Sequence, residues 1–142
     1  MSTLVDKDLL STKLQDLERY LTQLRTHQGV TAEMLDNDLN QAWIIERGLQ
    51  LSIQLVLDIG NHILAEAGVP VHEYADILPQ LAKLEIIPDD YAISVKGMAG
   101  FRNLLVHEYS EIDNEKLAAF VNVNLNDFYL FCQYIAAYTD KN

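Results

Sequence analysis

An apolar stripe with helical spacing runs along the start of the chain. Its members recur in steps of four and three residues: Leu10, Leu14, Leu17, Leu21 and Leu24. Positions with that spacing share one face of an α-helix. The pattern predicts an amphipathic helix from about Asp6 to His27, which stops near Gly29 because glycine favours a helix C-terminus.

A second and longer helix is predicted from the residues that follow. Thr31 is a suitable N-cap, and the helical pattern continues to about Glu66, before Gly68-Val69-Pro70 ends it. At 1.5 Å per residue this helix would be ~50 Å long. Gly48 and Gly60 lie within it and permit either close packing or a bend.

A polar stripe occupies one side of the second predicted helix. It recurs every four residues: Glu46, Gln50, Gln54, Asp58 and His62. The simpler interpretation is a face in contact with water. The alternative is that part of the stripe lines a groove near residues 102–109, and Asp58 is then the best candidate because apolar residues flank it.

The remaining pattern predicts three more helices. Glu73 to Leu84 forms the third, with Pro79 either kinking it or forcing a restart. Pro88 begins the fourth. Asp113 caps the fifth, whose positions have heptad-like spacing: Leu117, Val121, Asn124, Phe128, Phe131, Ile135 and Tyr138. No alternating run is long enough for a strand, so we predict an all-α, antiparallel bundle of about five helices in a single domain spanning residues 1–142.

Composition and charge narrow the class of protein. Hydrophobic residues make up 49% of the 142 positions, with only six Gly and three Pro, which argues against disorder. The lone Cys132 cannot form an internal disulfide and is expected to be a small core residue. No signal peptide is visible and Asp58 interrupts the longest apolar run, so a soluble, cytoplasmic protein is expected. The net charge of −11 disfavours a general nucleic-acid binder, but a local positive site remains possible.

The octet RNLLVHEY, residues 102–109, is the strongest candidate for chemistry. It brings a fixed cation, a titratable imidazole and a phenol together. On a regular helix, Asn103 neighbours His107 and Arg102 lies above Tyr109. Arg102 and His107 differ by about 140° around the axis. They converge only if the helix loosens, if the arginine wraps round, or if a second subunit contributes.

These residue types suit hydrolysis of RNA without a metal. That reaction needs a base for the 2′-hydroxyl, a cation for the phosphorane and an acid for the leaving oxygen. His107 can act as base or acid near neutral pH, and Arg102 matches phosphate oxygens with its planar fork. Asn103 can orient the imidazole or bind substrate. One copy supplies one arginine and one histidine, so a two-fold dimer is mechanistically attractive.

The octet, with the preceding Gly97-Met98-Ala99-Gly100-Phe101, closely resembles the HEPN proteins of the HepT type. These are the toxin halves of bacterial and archaeal HepT–MntA toxin–antitoxin pairs, of the type VII-like HEPN/MNT kind. The similarity extends over most of the chain, including the long second helix and the closing aromatic helix. The R-x-x-x-x-H-x-Y motif shows no departure from the family pattern, although the acidic balance is unexpected for a ribonuclease.

The resemblance implies a specific activity and specific partners. It implies a metal-independent endoribonuclease without cofactor that cleaves cellular RNA, in some cases tRNA, as a homodimer. Arg102 and His107 would be the catalytic pair and Asn103 the polar residue that follows the arginine. The expected partner is an MntA-like nucleotidyltransferase antitoxin that transfers AMP onto Tyr109, which places bulk and negative charge where the substrate phosphate would bind.

Less specific interpretations remain open. From the residues alone, Arg102 could form a surface ion pair with Glu108, and His107 could be an ordinary residue at a helix end. One alternative function is a non-catalytic helical subunit that binds nucleotide or substrate for a nucleotidyltransferase, and another is a structural dimerisation bundle. Trp43, with Ile44 and Ile45, is expected in the core or in a dimer interface.

Overall fold

The computed structural model describes the backbone of residues 6–106 and 113–141 and the side chains of residues 6–102 and 113–141. In these ranges the chain forms helices and short connections without a strand, which confirms the all-α prediction. The helices are α1 Lys7–Arg25, α2 Ala32–Asn37, α3 Leu39–Glu66, α4 Ile77–Lys83, α5 Asp89–Ser94, α6 Gly97–Val106, α7 Asn114–Ala119 and α8 Leu125–Lys141. None of them is long and apolar enough to cross a lipid bilayer.

Helix α1 follows the prediction from its leucine pattern. All five leucines of the stripe are buried, and the helix packs against α3 and α8. Asp6 is the N-cap, since its side chain accepts a hydrogen bond from the Leu9 amide at 3.0 Å. Local periodicity was therefore sufficient to predict this element.

The prediction of one helix from Thr31 to Glu66 is wrong, because the chain breaks at Asp38. Thr31 caps α2 as expected, by accepting from the Met34 amide at 3.2 Å. Asp38 then leaves helical geometry (φ −134°, ψ 89°), and its carboxylate accepts from the Gln41 amide at 3.1 Å. One of the free amides at the start of a new helix is satisfied in this way. Helix α3 has 28 residues and is therefore about 42 Å long at 1.5 Å per residue.

The region around Pro79 restarts before the proline. A 3-10 turn at Tyr74–Asp76 leads directly into α4, which begins at Ile77. Pro79 then lies in the first turn, where its missing amide hydrogen has no partner within the helix. Gly60 of α3 allows α4 to approach closely, since a Cβ there would lie 2.5 Å from Ile77 Cγ2.

The last two predicted helices are both subdivided. The fourth consists of α5 and α6, with a turn at Val95 (φ −108°, ψ 10°). Asp113 caps the fifth as expected, by accepting from the Glu115 amide at 2.9 Å. A π-helical segment, Phe120–Asn124, then separates α7 from α8. Phe128 and Phe131 of α8 are fully buried, and Cys132 is buried as predicted.

Candidate active site

Helix α6 is anchored by its apolar residues and carries the first half of the octet. Met98 and Phe101 are buried in the core, and the helix packs against α3. The Phe101 ring stacks on Phe120 of the π-helical segment, with centroids 4.0 Å apart and an interplanar angle of 21°. Arg102 follows directly and is partly buried. Its backbone position is thus fixed by the aromatic contact of its neighbour.

Two other elements hold the Arg102 guanidinium. Its Nε donates a hydrogen bond to Oε1 of Gln54 on α3, at 3.1 Å. Its Cζ lies 4.4 Å from the centroid of the Tyr74 ring, which belongs to the 3-10 turn. A cation over an aromatic face at this distance is attracted by the electron density of the ring. The guanidinium therefore has a defined orientation, in contrast to a surface arginine in water.

Gln54 is itself held by the next member of the polar stripe. Its Nε2 donates to Oδ1 of Asp58 at 2.8 Å, one helical turn further along α3. Asp58, Gln54 and Arg102 thus form a continuous hydrogen-bonded chain. Gln54 and Asp58 are therefore linked to the arginine of the octet by hydrogen bonds, while a groove lined by the stripe stays a prediction. Gln50, one turn before Gln54, instead accepts from Arg47 Nη1 at 3.2 Å.

The two ends of the stripe, Glu46 and His62, differ in the environment of their side chains. Partial burial raises the pKa of Glu46 above its usual value. His62 is partly buried, and its Nε2 is a buried atom without a hydrogen-bond partner in the described part of the chain. Within that part, no cluster of three or more His, Cys, Asp or Glu side chains is placed to hold a metal ion.

His107 and Tyr109 lie outside the described residues, as does Glu108, and the side chain of Asn103 is not among those described. The catalytic pair Arg102–His107, the orienting role of Asn103 and the modification of Tyr109 therefore stay predictions. Of the four octet residues predicted for the site, Arg102 is the one with described side-chain contacts.

Sequence reasoning missed Tyr74 as a member of the site. The sequence places Tyr74 in the third predicted helix, and the residues around it give no signal of a contact with Arg102. A cleft of about 240 Å³ adjoins the same ring. Its lining combines amide, imidazole, carboxylate and phenol groups with apolar side chains: Asn61, Val71, His72, Glu73, Tyr74 and Ile77.

The bundle and its arginine-bearing helix define a HEPN-type helical domain. The fold matches the tri-AMPylated HEPN toxin of Shewanella oneidensis, solved in complex with an MNT antitoxin, with a TM-score of 0.82 and 25% identity. This match covers 92% of the present chain and 98% of that toxin. Residues 11–135 match the family model described as "Ribonuclease HepT-like". The chain belongs to this family, and the resemblance found in the octet is confirmed.

Two curated relatives carry nuclease names. The "tRNA nuclease HepT" of Aphanizomenon flos-aquae (strain 2012/KM1/D3) is 28% identical over 138 residues, which covers 96% of this chain and 93% of the relative. The "mRNA nuclease HepT" of Shewanella oneidensis is 26% identical over 132 residues, which covers 92% of this chain and 98% of the relative. Both names describe a nuclease that acts on RNA, one on tRNA and the other on mRNA.

Proposed function

We propose that this protein is the toxin of a type VII-like HEPN/MNT toxin–antitoxin pair, and that it is a metal-independent endoribonuclease acting on cellular RNA. The observation that carries the proposal is the Arg102 guanidinium held between Gln54 and Tyr74, in a chain of the HepT-like family. An oriented cation is what the crowded, negatively charged transition state of phosphodiester cleavage requires.

Three octet residues have a role in catalysis in this proposal. Arg102 stabilises the phosphorane, and His107 moves the proton as base or acid near neutral pH. Asn103 orients the imidazole or binds the substrate. Orientation before the reaction matters because donors that are already aimed at the developing charge need no reorganisation during the step.

The active form is proposed to be a homodimer, since one octet supplies only one arginine and one histidine. Apolar surface near the start of α3 supports this: Leu39, Trp43 and Ile44 are 61%, 58% and 57% exposed. Neighbouring Ile45 is fully buried. A second copy would cover surface that is costly to leave in water. Analytical ultracentrifugation tests this, because Trp43→Glu should shift the protein from dimer to monomer.

The proposed partner is an MntA-like nucleotidyltransferase that adds AMP to Tyr109. The Shewanella oneidensis toxin was solved in an AMPylated state together with such an antitoxin, which supports the same regulation here. Co-expression should raise the intact mass by one or more AMP units, and Tyr109→Phe should abolish the increase. An unchanged mass beside a demonstrably active partner would count against this modification.

The direct test is RNA cleavage in the presence of EDTA, with total tRNA and an mRNA transcript as substrates. Arg102→Ala and His107→Ala should each lower kcat by about 10²- to 10³-fold, as loss of an oriented transition-state donor does. Arg47→Ala is the matched control, because Arg47 is exposed and its described hydrogen bond is to Gln50. Equal cleavage by all four proteins would refute the proposal. Binding of the nucleotidyltransferase without cleavage under any condition would favour the non-catalytic subunit instead.

A further inference from the structure

We propose that Gln54, Asp58 and Tyr74 are positioning residues, which fix the Arg102 guanidinium in the orientation that cleavage requires. The functional unit would then extend from the octet into α3 and into the 3-10 turn before α4. This inference rests on the proposed function, since it concerns how the same arginine is prepared for the reaction.

The argument begins with the orientation of the Gln54 amide. A glutamine amide has an acceptor end and a donor end, and the two can be exchanged by a rotation. Arg102 Nε is a donor, so it requires the oxygen of Gln54, which lies 3.1 Å away. If the amide were reversed, two donors would face each other. A second contact is therefore needed to select the productive orientation.

Asp58 supplies that selection. An ionised carboxylate only accepts hydrogen bonds, so it attracts the nitrogen end of the amide. Gln54 Nε2 donates to it at 2.8 Å, which turns the oxygen towards Arg102. The four-residue spacing places Gln54 and Asp58 on one face of α3, one turn apart. The carboxylate thus acts on the guanidinium through the amide.

Tyr74 limits the remaining freedom of the guanidinium. The Nε contact concerns one edge of the group, and a hydrogen bond at one edge does not by itself define the plane of a guanidinium. The ring, with its centroid 4.4 Å from Cζ, lies against one face of the cation. An edge contact and a face contact together define the plane of the guanidinium. Small displacements of a catalytic group lower rates strongly, up to about 100-fold for ~1 Å.

The first experiment compares Gln54→Leu with Gln50→Leu in the RNA cleavage assay. Both variants remove a glutamine from the same face of α3, but the Gln50 side chain is bonded to Arg47. Gln54→Leu should lower kcat by about 10- to 100-fold with KM nearly constant, because orientation for the transition state is lost. Gln50→Leu should leave kcat within about two-fold. Equal kcat values for both variants would overturn the proposal.

The second experiment tests the path from Asp58 through Gln54. Asp58→Leu should lower kcat in the wild-type background, yet add nothing further in the Gln54→Leu background. Gln54→Glu should remove the need for Asp58, because either carboxylate oxygen can accept from Arg102. It is combined with Asp58→Leu, because the carboxylates of Glu at position 54 and Asp58 would otherwise repel each other. The double variant Gln54→Glu/Asp58→Leu should therefore recover the kcat that Asp58→Leu loses. Independent, multiplicative losses, or no recovery in the glutamate background, would overturn the relay.

Tyr74 and folding are addressed by a third set of variants. Tyr74→Phe keeps the ring and should keep kcat, whereas Tyr74→Leu should lower it. Melting temperatures separate a positioning effect from a loss of folded protein, and a purely structural role would lower kcat only together with the folded fraction. If Arg102→Ala cleaves as wild type does, the proposed function itself fails. If Arg102→Ala is inactive while Gln54→Leu is fully active, only the present inference fails.

Discussion

Gly60→Ala tests the close approach of α3 and α4, which brings the Tyr74 turn towards Arg102. An ideal Cβ at Gly60 would lie 2.5 Å from Ile77 Cγ2 and 3.2 Å from Leu81 Cδ1. Ile77 is buried and β-branched, so its Cγ2 moves only if χ1 leaves its preferred rotamer. The neighbour therefore cannot give way cheaply, and the two helices must separate.

Two opposing effects determine how much Gly60→Ala changes the free energy of unfolding. Alanine is better than glycine in a helix interior by about 1 kcal/mol. Insertion of a methyl group into a well-packed core costs about 1–3 kcal/mol. For Gly60→Ala the sum is a destabilisation of up to about 2 kcal/mol. Gly100→Ala in α6 is the matched control, because among the described residues no atom outside the chain neighbours and the helix's own backbone lies within 4 Å of the added Cβ, and only the helix preference remains. That variant should be more stable by up to about 1 kcal/mol.

Urea unfolding measures both variants, at one protein concentration because a dimer would make stability concentration-dependent. We expect the midpoint to fall for Gly60→Ala and to rise for Gly100→Ala, with similar m-values. Ile77→Leu moves the branch from Cβ to Cγ and should partly restore Gly60→Ala in a double-mutant cycle. If Gly60→Ala were as stable as Gly100→Ala, the contact between α3 and α4 would be refuted.

Three further predictions concern other parts of the bundle. Asp38→Ala should lower the free energy of unfolding by about 1 kcal/mol through loss of the α3 cap, and an unchanged urea midpoint would contradict the break before Leu39. Asn122→Ala should lower the free energy of unfolding by about 1–3 kcal/mol, because its side chain accepts from Gly29 N at 2.7 Å and donates to Val30 O at 2.8 Å. The control Asn126→Ala, at an exposed position of α8, should leave the free energy of unfolding nearly unchanged. Burial raises the pKa of the Cys132 thiol from 9.0 to about 12. The unfolded chain therefore loses this proton first, and the free energy of unfolding falls as the pH rises above about 9. Cys132→Ala should flatten that decline, and a thiol reagent should label the native protein at pH 8 far more slowly than the protein in urea.

The helices with a strong local pattern could be predicted from the sequence, and their interruptions could not. The leucine spacing of α1 is complete within one segment, so no tertiary information was needed. Asp38 is preceded by Asp36 and Asn37, and this polar run is a cap signal that the continuing apolar pattern concealed. The turn at Val95 contains neither glycine nor proline, but Gly97 follows it closely and begins α6.

The candidate site likewise contains residues that the sequence could identify and contacts that it could not. Arg102 could be identified because the arginine, histidine and tyrosine of the motif all lie within eight consecutive residues. A carboxylate among apolar neighbours is unusual, so the sequence indicates Asp58 as a candidate. Its connection to Arg102 through Gln54 requires the packing of α6 on α3. The contact with Tyr74 joins segments that are far apart in the chain, so periodicity cannot indicate it.

The π-helical segment has a consequence for comparing chain lengths within the family. Such a segment accommodates one more residue than an α-helix of equal rise, usually as a single wide turn. Asn122 ties this turn to the connection between α1 and α2, while Phe128 and Phe131 stay in the core beyond it. A homologue shorter by one residue at 120–124 would therefore have a regular α-helical turn here, with both phenylalanines still in the core. An alignment gap here would record a change of helical pitch and leave the architecture intact.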